Sequence, residues 1–235
     1  MVSEIGILDG ITASIIILSS VIFGGLSFYN ARKMGAKLLY YAGAMMIFIG
    51  LFWLGPFTEF FLVLLFQTNL SPDILYGILS YIWVAPAVIV AMYLGAELLV
   101  PDKKAIIVGI YAVLGVIFDI LIIFFNTQSF NYPLGGDGVP GEDLINGEFI
   151  RTFPTFWFVA IFLISVLIFE SIGFALKARQ ATGELRKKFV YLSIGFTVFV
   201  VCGALDSILT IPLAIGFVRI IMSTFAVWMY LGLKT

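Results

Sequence analysis

Seven apolar segments, each close to the length that crosses a lipid bilayer, follow one another along the chain. They run over residues 5–28, 38–54, 74–99, 105–125, 154–176, 189–209 and 211–233. Hydrophobic residues make up 62% of the 235 residues and charged residues only 11%, too few to coat a soluble domain. The sequence therefore predicts an all-α membrane protein, a single seven-transmembrane-helix bundle over residues 1–235 that is surrounded by the lipid bilayer.

Two prolines bear on the shape of the second and third helices. Residues 56–67, after Gly55-Pro56, are also apolar and either extend the second helix past a kink or lie in the membrane interface. The proline favours an end of the second helix near Pro56. Pro86, near the middle of the third segment, predicts a kink in that helix.

The basic residues predict the orientation, because eleven of the thirteen lie at the same end of the apolar segments. These eleven are Arg32, Lys33, Lys37, Lys103, Lys104, Lys177, Arg179, Arg186, Lys187, Lys188 and Lys234. The positive-inside rule then predicts a multi-pass protein of the cell membrane with its N-terminus outside and its C-terminus cytoplasmic. Acids near the opposite ends of the segments, Asp9 among them, fit the same topology. The first segment has no preceding bases, so we expect it to be retained as a true span.

Residues 126–153 form the one long loop, and they are rich in glycine, proline and acid. This loop either caps an outward-facing cavity or is a flexible tether between the fourth and fifth helices, and its composition favours the tether. Its acids lack the spacing of a calcium-binding loop, so no metal site is expected there.

Five ionisable residues fall in or near the apolar segments: Glu59, Asp119, Glu170, Asp206 and Arg219. Such residues usually face the bundle interior, where they are paired or functional. A short turn at Thr210 to Pro212 makes the last two helices antiparallel neighbours. We therefore expect Arg219 to pair with Asp206, with Asp119 or with both in the outer half of the bundle. That pairing either fixes the helix packing or forms a site for a ligand, an ion or a proton.

The other two carboxyls differ in depth. Glu59 lies near the outer break of the second segment and is expected to reach interfacial water. Glu170 lies about two turns above the inner end of the fifth segment, with no base at its depth. We expect Glu170 to be neutral or hydrogen-bonded to hydroxyl groups, and a proton relay is the alternative.

The absence of several residue types excludes whole classes of function. With no histidine and the single cysteine Cys202, the usual haem, copper and zinc sites cannot form. No catalytic or nucleotide motif is present, so we expect neither an enzyme nor a cofactor. The charges form no basic patch that would bind nucleic acid. The seven-segment topology resembles that of the microbial rhodopsins, but the seventh segment has no lysine to hold retinal.

The last two segments carry one further likeness. After a basic entry come Gly203-Ala204-Leu205-Asp206 near the outer end, then Pro212 and Gly216 after a tight turn, then Tyr230 near the exit. This pattern resembles the closing helices of the seven-transmembrane sensor regions of prokaryotic histidine kinases. The resemblance implies sensing. Since the sequence ends at Lys234-Thr235, a signal would pass to a separate cytosolic partner, through the basic stretch Lys177 to Lys188. The alternative explanation of that stretch is anchoring to anionic lipid headgroups, and its position at the membrane surface favours this alternative.

Three functions therefore stay open. The first is a stand-alone sensor or receptor-like protein that binds a small molecule or a lipid in an outer-half pocket near Arg219, Asp206 and Asp119. The second is a small transporter or channel that uses the same charges together with the deeper Glu170. The third is a structural subunit of a larger membrane complex.

Overall fold

Seven long apolar helices form the protein, as the sequence predicts, in a computed structural model that describes residues 1–209 and 211–234. They are α1 (Glu4–Met34), α2 (Lys37–Phe66), α3 (Ile74–Leu99), α4 (Pro101–Phe124), α5 (Pro154–Gln180), α6 (Gly183–Ile208) and α7 (Pro212–Leu233). The all-α membrane fold is confirmed. Residue 210, in the predicted turn between α6 and α7, lies outside the described residues. We call the end of the bundle that holds residues 126–153 the loop end, and the end that holds the eleven bases the basic end.

Helix α2 does not stop near Pro56. It runs through Lys37–Gly50, a 3₁₀ turn at Leu51–Trp53 and a further α-helix at Leu54–Phe66. Proline has no amide hydrogen and its ring crowds the carbonyl four residues earlier, so the irregular turn falls just before Pro56 and the helix then resumes. The predicted end of the second helix was wrong, because proline within the first turn of a new segment is tolerated.

Helix α3 has the same construction, with the predicted irregularity ahead of Pro86. Its two segments are Ile74–Tyr81 and Val84–Leu99, so the break again precedes the proline by about one turn. Helix α7 is also divided, into Pro212–Met222 and Phe225–Leu233. Helix α4 begins with a 3₁₀ turn at Pro101–Lys103 and continues as Lys104–Phe124.

Helix α5 contains an irregularity that no proline explains. Between Pro154–Val166 and Gly173–Gln180, residues Leu167–Ile172 form a π-helix, which includes Glu170. A π-helical turn inserts one extra residue and rotates the following side chains around the helix axis, and such turns are frequent at functional sites.

Residues 126–153 fold against the bundle as a cap. A short helix, Asn126–Ser129, leads into strand β1 (Phe130–Asn131), which pairs antiparallel with β2 (Glu148–Phe149). The Ser3 amide donates to the Glu142 carbonyl at 3.0 Å, which fastens the cap to the start of α1. Of the two interpretations of this loop, the structure has the cap and not the tether.

Close backbone contact holds α1 and α2 together. A Cβ atom on Gly24 would lie 2.9 Å from the Gly43 carbonyl oxygen, and one on Gly43 would lie 2.8 Å from the Gly24 carbonyl oxygen. Small residues that let two helices approach in this way are typical of membrane bundles, where packing replaces the hydrophobic effect between helices. This contact positions α1, which carries one wall of the site described next.

Candidate functional site

A cavity of about 390 Å³ extends from the cap into the bundle at the loop end. Its mouth is lined by exposed polar residues that include Asn146, Glu148 and Arg151. Its floor, deeper in the bundle, is apolar and includes Ala91, Phe162, Val166, Phe196 and Phe199. A small number of polar groups above an apolar chamber of this size is typical of a small-molecule site.

Arg219 lies in the wall of this cavity and is 8% exposed. Its Nε donates a hydrogen bond of 2.7 Å to Oδ1 of Asp206, so the predicted ion pair between α6 and α7 is present. Its Nη1 also donates to Oδ1 of Asp9, on α1. One guanidinium therefore joins three helices through two carboxylates, in surroundings where a lone charge is costly.

Asp9 was missed in the sequence, where it was grouped with the acids that the topology explains. It lies five residues into α1, and Arg219 lies seven residues into α7 from the same end of the bundle, so their depths differ by only about 3 Å. This similar depth is the sequence signal that could have identified Asp9 as a partner of Arg219. The face that α1 turns toward the bundle was not evident, because apolar residues surround the whole helix.

Asp119 does not join this cluster, so of the alternatives predicted for Arg219 the structure has the pairing with Asp206 and not the one with Asp119. It lies on α4, which packs mainly against α3, whereas Arg219 lies on α7 beside α1 and α6. Asp119 is half-buried, and its Oδ1 is buried without a hydrogen-bond partner among the described residues. The sequence indicated correctly that the two side chains lie at a similar depth. It could not show that they lie on different sides of the bundle.

Glu59 is fully buried. The expectation that it reaches interfacial water is therefore wrong. Its carboxylate accepts hydrogen bonds from Nδ2 of Asn69 at 2.6 Å, from the Leu70 amide at 2.6 Å and from the Ile145 amide at 3.2 Å. The continuation of α2 to Phe66 and the docking of the cap remove this carboxylate from water. Glu59 therefore fastens the cap to the bundle and does not line the cavity.

Glu170 is also fully buried, but neither of its oxygens has a hydrogen-bond partner within normal geometry among the described residues. The neighbouring Ser171 hydroxyl is likewise unpaired, so the expected bonds to hydroxyl groups are not present. The carboxyl lies against Gly95 of α3, where a Cβ atom would overlap it. Glu170 follows Val166, a floor residue of the cavity, by one turn of α5 and is not itself a lining residue.

The described part of the chain contains no group of three or more histidine, cysteine, aspartate or glutamate side chains that could hold a metal ion. No protein-family model matches the chain. No curated protein matches it either.

Proposed function

We propose that this integral membrane protein is a sensor that binds a small molecule in the loop-end cavity and transmits the event to a separate partner at the basic end. The observation that carries the proposal is the cavity of about 390 Å³, with Asp9, Asp206 and Arg219 in its wall and an apolar floor. In this proposal the loop end faces outside and the basic end faces the cytoplasm, as the concentration of bases at one end favours.

The packing below the floor supports sensing over passage. Below Val166 the fully buried Glu170 lies against Gly95, and the fully buried side chain of Phe174 follows one turn later. A bundle packed in this way toward the basic end favours a ligand that enters and leaves by the same mouth.

Helices α5 and α6 give the sensor a route from one end to the other. Both helices line the cavity, α5 with Phe162 and α6 with Phe199, and the basic stretch Lys177 to Lys188 spans the end of α5, the short turn and the start of α6. A shift of either helix on ligand binding therefore moves this stretch, where an acidic surface of a cytosolic partner would bind. Anionic lipid headgroups are the other candidate for the same charges.

Distance measurements between spin labels test this proposal. In a Cys202→Ser background, cysteines replace the exposed Gln180 and Lys103 at the basic end, and the protein is reconstituted in lipid nanodiscs. We expect amphiphilic small molecules that stabilise the protein against heat to change the distance between these labels. Ala91→Phe fills the floor of the cavity and should abolish the change, whereas Ile110→Phe, on an exposed face of α4, should not. Binding that leaves the distance unchanged would contradict a sensor.

The unpaired Glu170 favours a second function, a transporter whose pathway continues from the cavity toward the basic end. Intramembrane carboxyls of this kind form proton and ion pathways in transporters. Solute or proton flux in liposomes that is abolished by Glu170→Gln would favour transport and contradict the sensor. We expect no such flux.

A further inference from the structure

We infer that the ligand of the loop-end cavity is an organic cation, an ammonium group attached to an apolar or aromatic body. This inference rests on the proposed function and adds the chemical class of the ligand. Four features of the cavity carry it: its charge, its unused carboxylate oxygens, the hydroxyl of Tyr76 and its aromatic lining.

The cavity has more negative than positive groups. Its ionisable lining residues are the three acids Asp9, Glu148 and Asp206 and the two bases Arg151 and Arg219, which leaves one excess negative charge. Glu148 and Arg151 lie at the exposed mouth, where water screens both. Deeper in the cavity two carboxylates share one guanidinium, so the excess charge lies where it is least screened.

Each of these two carboxylates has one oxygen atom that can accept a hydrogen bond from a ligand. Arg219 bonds only the Oδ1 atoms of Asp9 and Asp206, and neither Oδ2 atom has a hydrogen-bond partner among the described residues. The side chains of Asp9 and Asp206 remain 26% and 17% exposed inside the bundle. An ammonium group supplies both the positive charge and the N–H donors that these oxygens lack.

Tyr76 is an independent indication of a polar ligand. Its side chain lines the cavity and is 6% exposed, yet its hydroxyl has no hydrogen-bond partner in the part of the chain that the structure describes. The hydroxyl is not enclosed by protein and is accessible from the cavity, so an occupant of the cavity would provide its hydrogen-bond partner.

The aromatic lining selects an organic cation over an inorganic one. Trp53, Tyr81, Phe149, Phe162 and Phe199 all face the cavity. Aromatic faces attract ammonium groups through their quadrupole and cover the apolar body of the same ligand. An anionic lipid headgroup would instead meet the two carboxylates, and the repulsion would oppose its binding.

Three ligands of nearly equal shape test the charge of the occupant: naphthylethylamine, naphthylethanol and naphthylacetate. Their binding to the purified full-length protein in detergent micelles is measured by naphthalene fluorescence. We expect the amine to bind at least about tenfold more tightly than the carboxylate. Asp9→Asn and Asp206→Asn should each reduce this preference, and the double variant, in which Arg219 has no counter-charge, should prefer naphthylacetate. Asp73→Asn, at an exposed site of the same end that does not line the cavity, should change nothing.

The outcomes separate the ligand class from the proposed function. Unchanged binding of naphthylethanol by the variants verifies that their cavities are intact. Binding of naphthylacetate to the wild-type protein as tightly as naphthylethylamine would overturn the cation inference and leave the ligand-binding function standing. Failure of all three ligands to bind would overturn both. If sodium chloride displaces naphthylethylamine at concentrations near those of the amine itself, far below those at which salt screens charges, the ligand is an inorganic cation and the organic class is overturned.

Discussion

The two intramembrane sites are the Arg219 cluster at the loop end and Glu170 below the cavity floor. Their carboxyl groups differ in hydrogen bonding and in exposure. Asp9 and Asp206 are bonded to a guanidinium and remain partly exposed in the cavity wall. Glu170 has no exposure, and its carboxyl has no hydrogen-bond partner in residues 1–209 and 211–234. A paired, accessible group can exchange part of its bonding with a ligand, whereas an enclosed, unpaired one can respond only if the packing around it opens.

The difference arises from how the helices present these groups. The loop-end cluster is assembled by α1, α6 and α7, which bring three charged side chains to one depth. Glu170 is turned toward α3 by the π-helix of α5, and Gly95 leaves just the space that its carboxyl needs. The first arrangement stabilises charge, and the second disfavours an ionised carboxylate by desolvation.

Removing the guanidinium should have the largest effect of any single change at these two sites. Arg219→Ala leaves Asp9 and Asp206 facing each other without a cation, so we expect a loss of about 3–5 kcal/mol in unfolding free energy. Unfolding in detergent micelles by titration with dodecyl sulfate measures it. Arg151→Ala, at the exposed mouth, should change stability by about 0.5 kcal/mol or less. Equal effects of the two changes would mean that the buried cluster contributes nothing to the fold.

Hydropathy predicted the helices well because it depends on the one property that every span must have. It could not predict which side of each helix faces the bundle, since α1 and α4 are apolar all round. Asp9 was therefore missed, and Asp119, which lies on another side of the bundle, was retained as an alternative partner of Arg219. The burial of Glu59 depended on how the cap folds. The hydrogen bond from the Ile145 amide to Glu59 joins residues far apart in the sequence, so the sequence did not indicate it. The rotation of Glu170 by a π-helix has no sequence signal that we recognise.

Filling the space at Gly95 should have the next largest effect. Alanine normally stabilises a helix interior relative to glycine, but here its methyl group would overlap Oε1 of Glu170. We expect Gly95→Ala to lower the unfolding free energy by about 1–3 kcal/mol. Gly109→Ala, where nothing lies within 4 Å of the added atom, should be neutral or stabilising. If Glu170→Ala does not restore the stability of Gly95→Ala, the two residues are not in the contact described here.

Replacing Glu170 by leucine should stabilise the protein. The unpaired carboxyl pays the cost of burial without a hydrogen bond, and an apolar side chain of similar size removes that cost, so we expect a gain of about 1 kcal/mol. The matched change Glu59→Leu should destabilise, because it leaves the donors of Asn69, Leu70 and Ile145 unpaired. Thermal unfolding of both variants in the same detergent compares them. A loss of stability with Glu170→Leu would indicate a partner that Glu170 meets in another state, which favours the transport function.

The smallest effect is expected at Asp143 in the cap, a buried carboxylate bonded by neutral donors and not by a cation. Burial raises the pKa of this carboxyl, but hydrogen bonds from the Ser3 side chain and from the backbone of Val139, Asp137 and Gly138 outweigh it and hold the pKa below its usual range. Because the folded pKa is lower than the unfolded one, the stabilisation is present at neutral pH and is lost as the pH falls below about 4. Pepsin cleavage within residues 126–153 should therefore accelerate modestly in that range.

Asp143→Asn should flatten the pH dependence of this cleavage, since the amide does not titrate, whereas Asp137→Asn, at an exposed position of the same loop, should leave it as in the wild type. An unchanged pH profile in Asp143→Asn would contradict this assignment and place the acid sensitivity of the cap on another group.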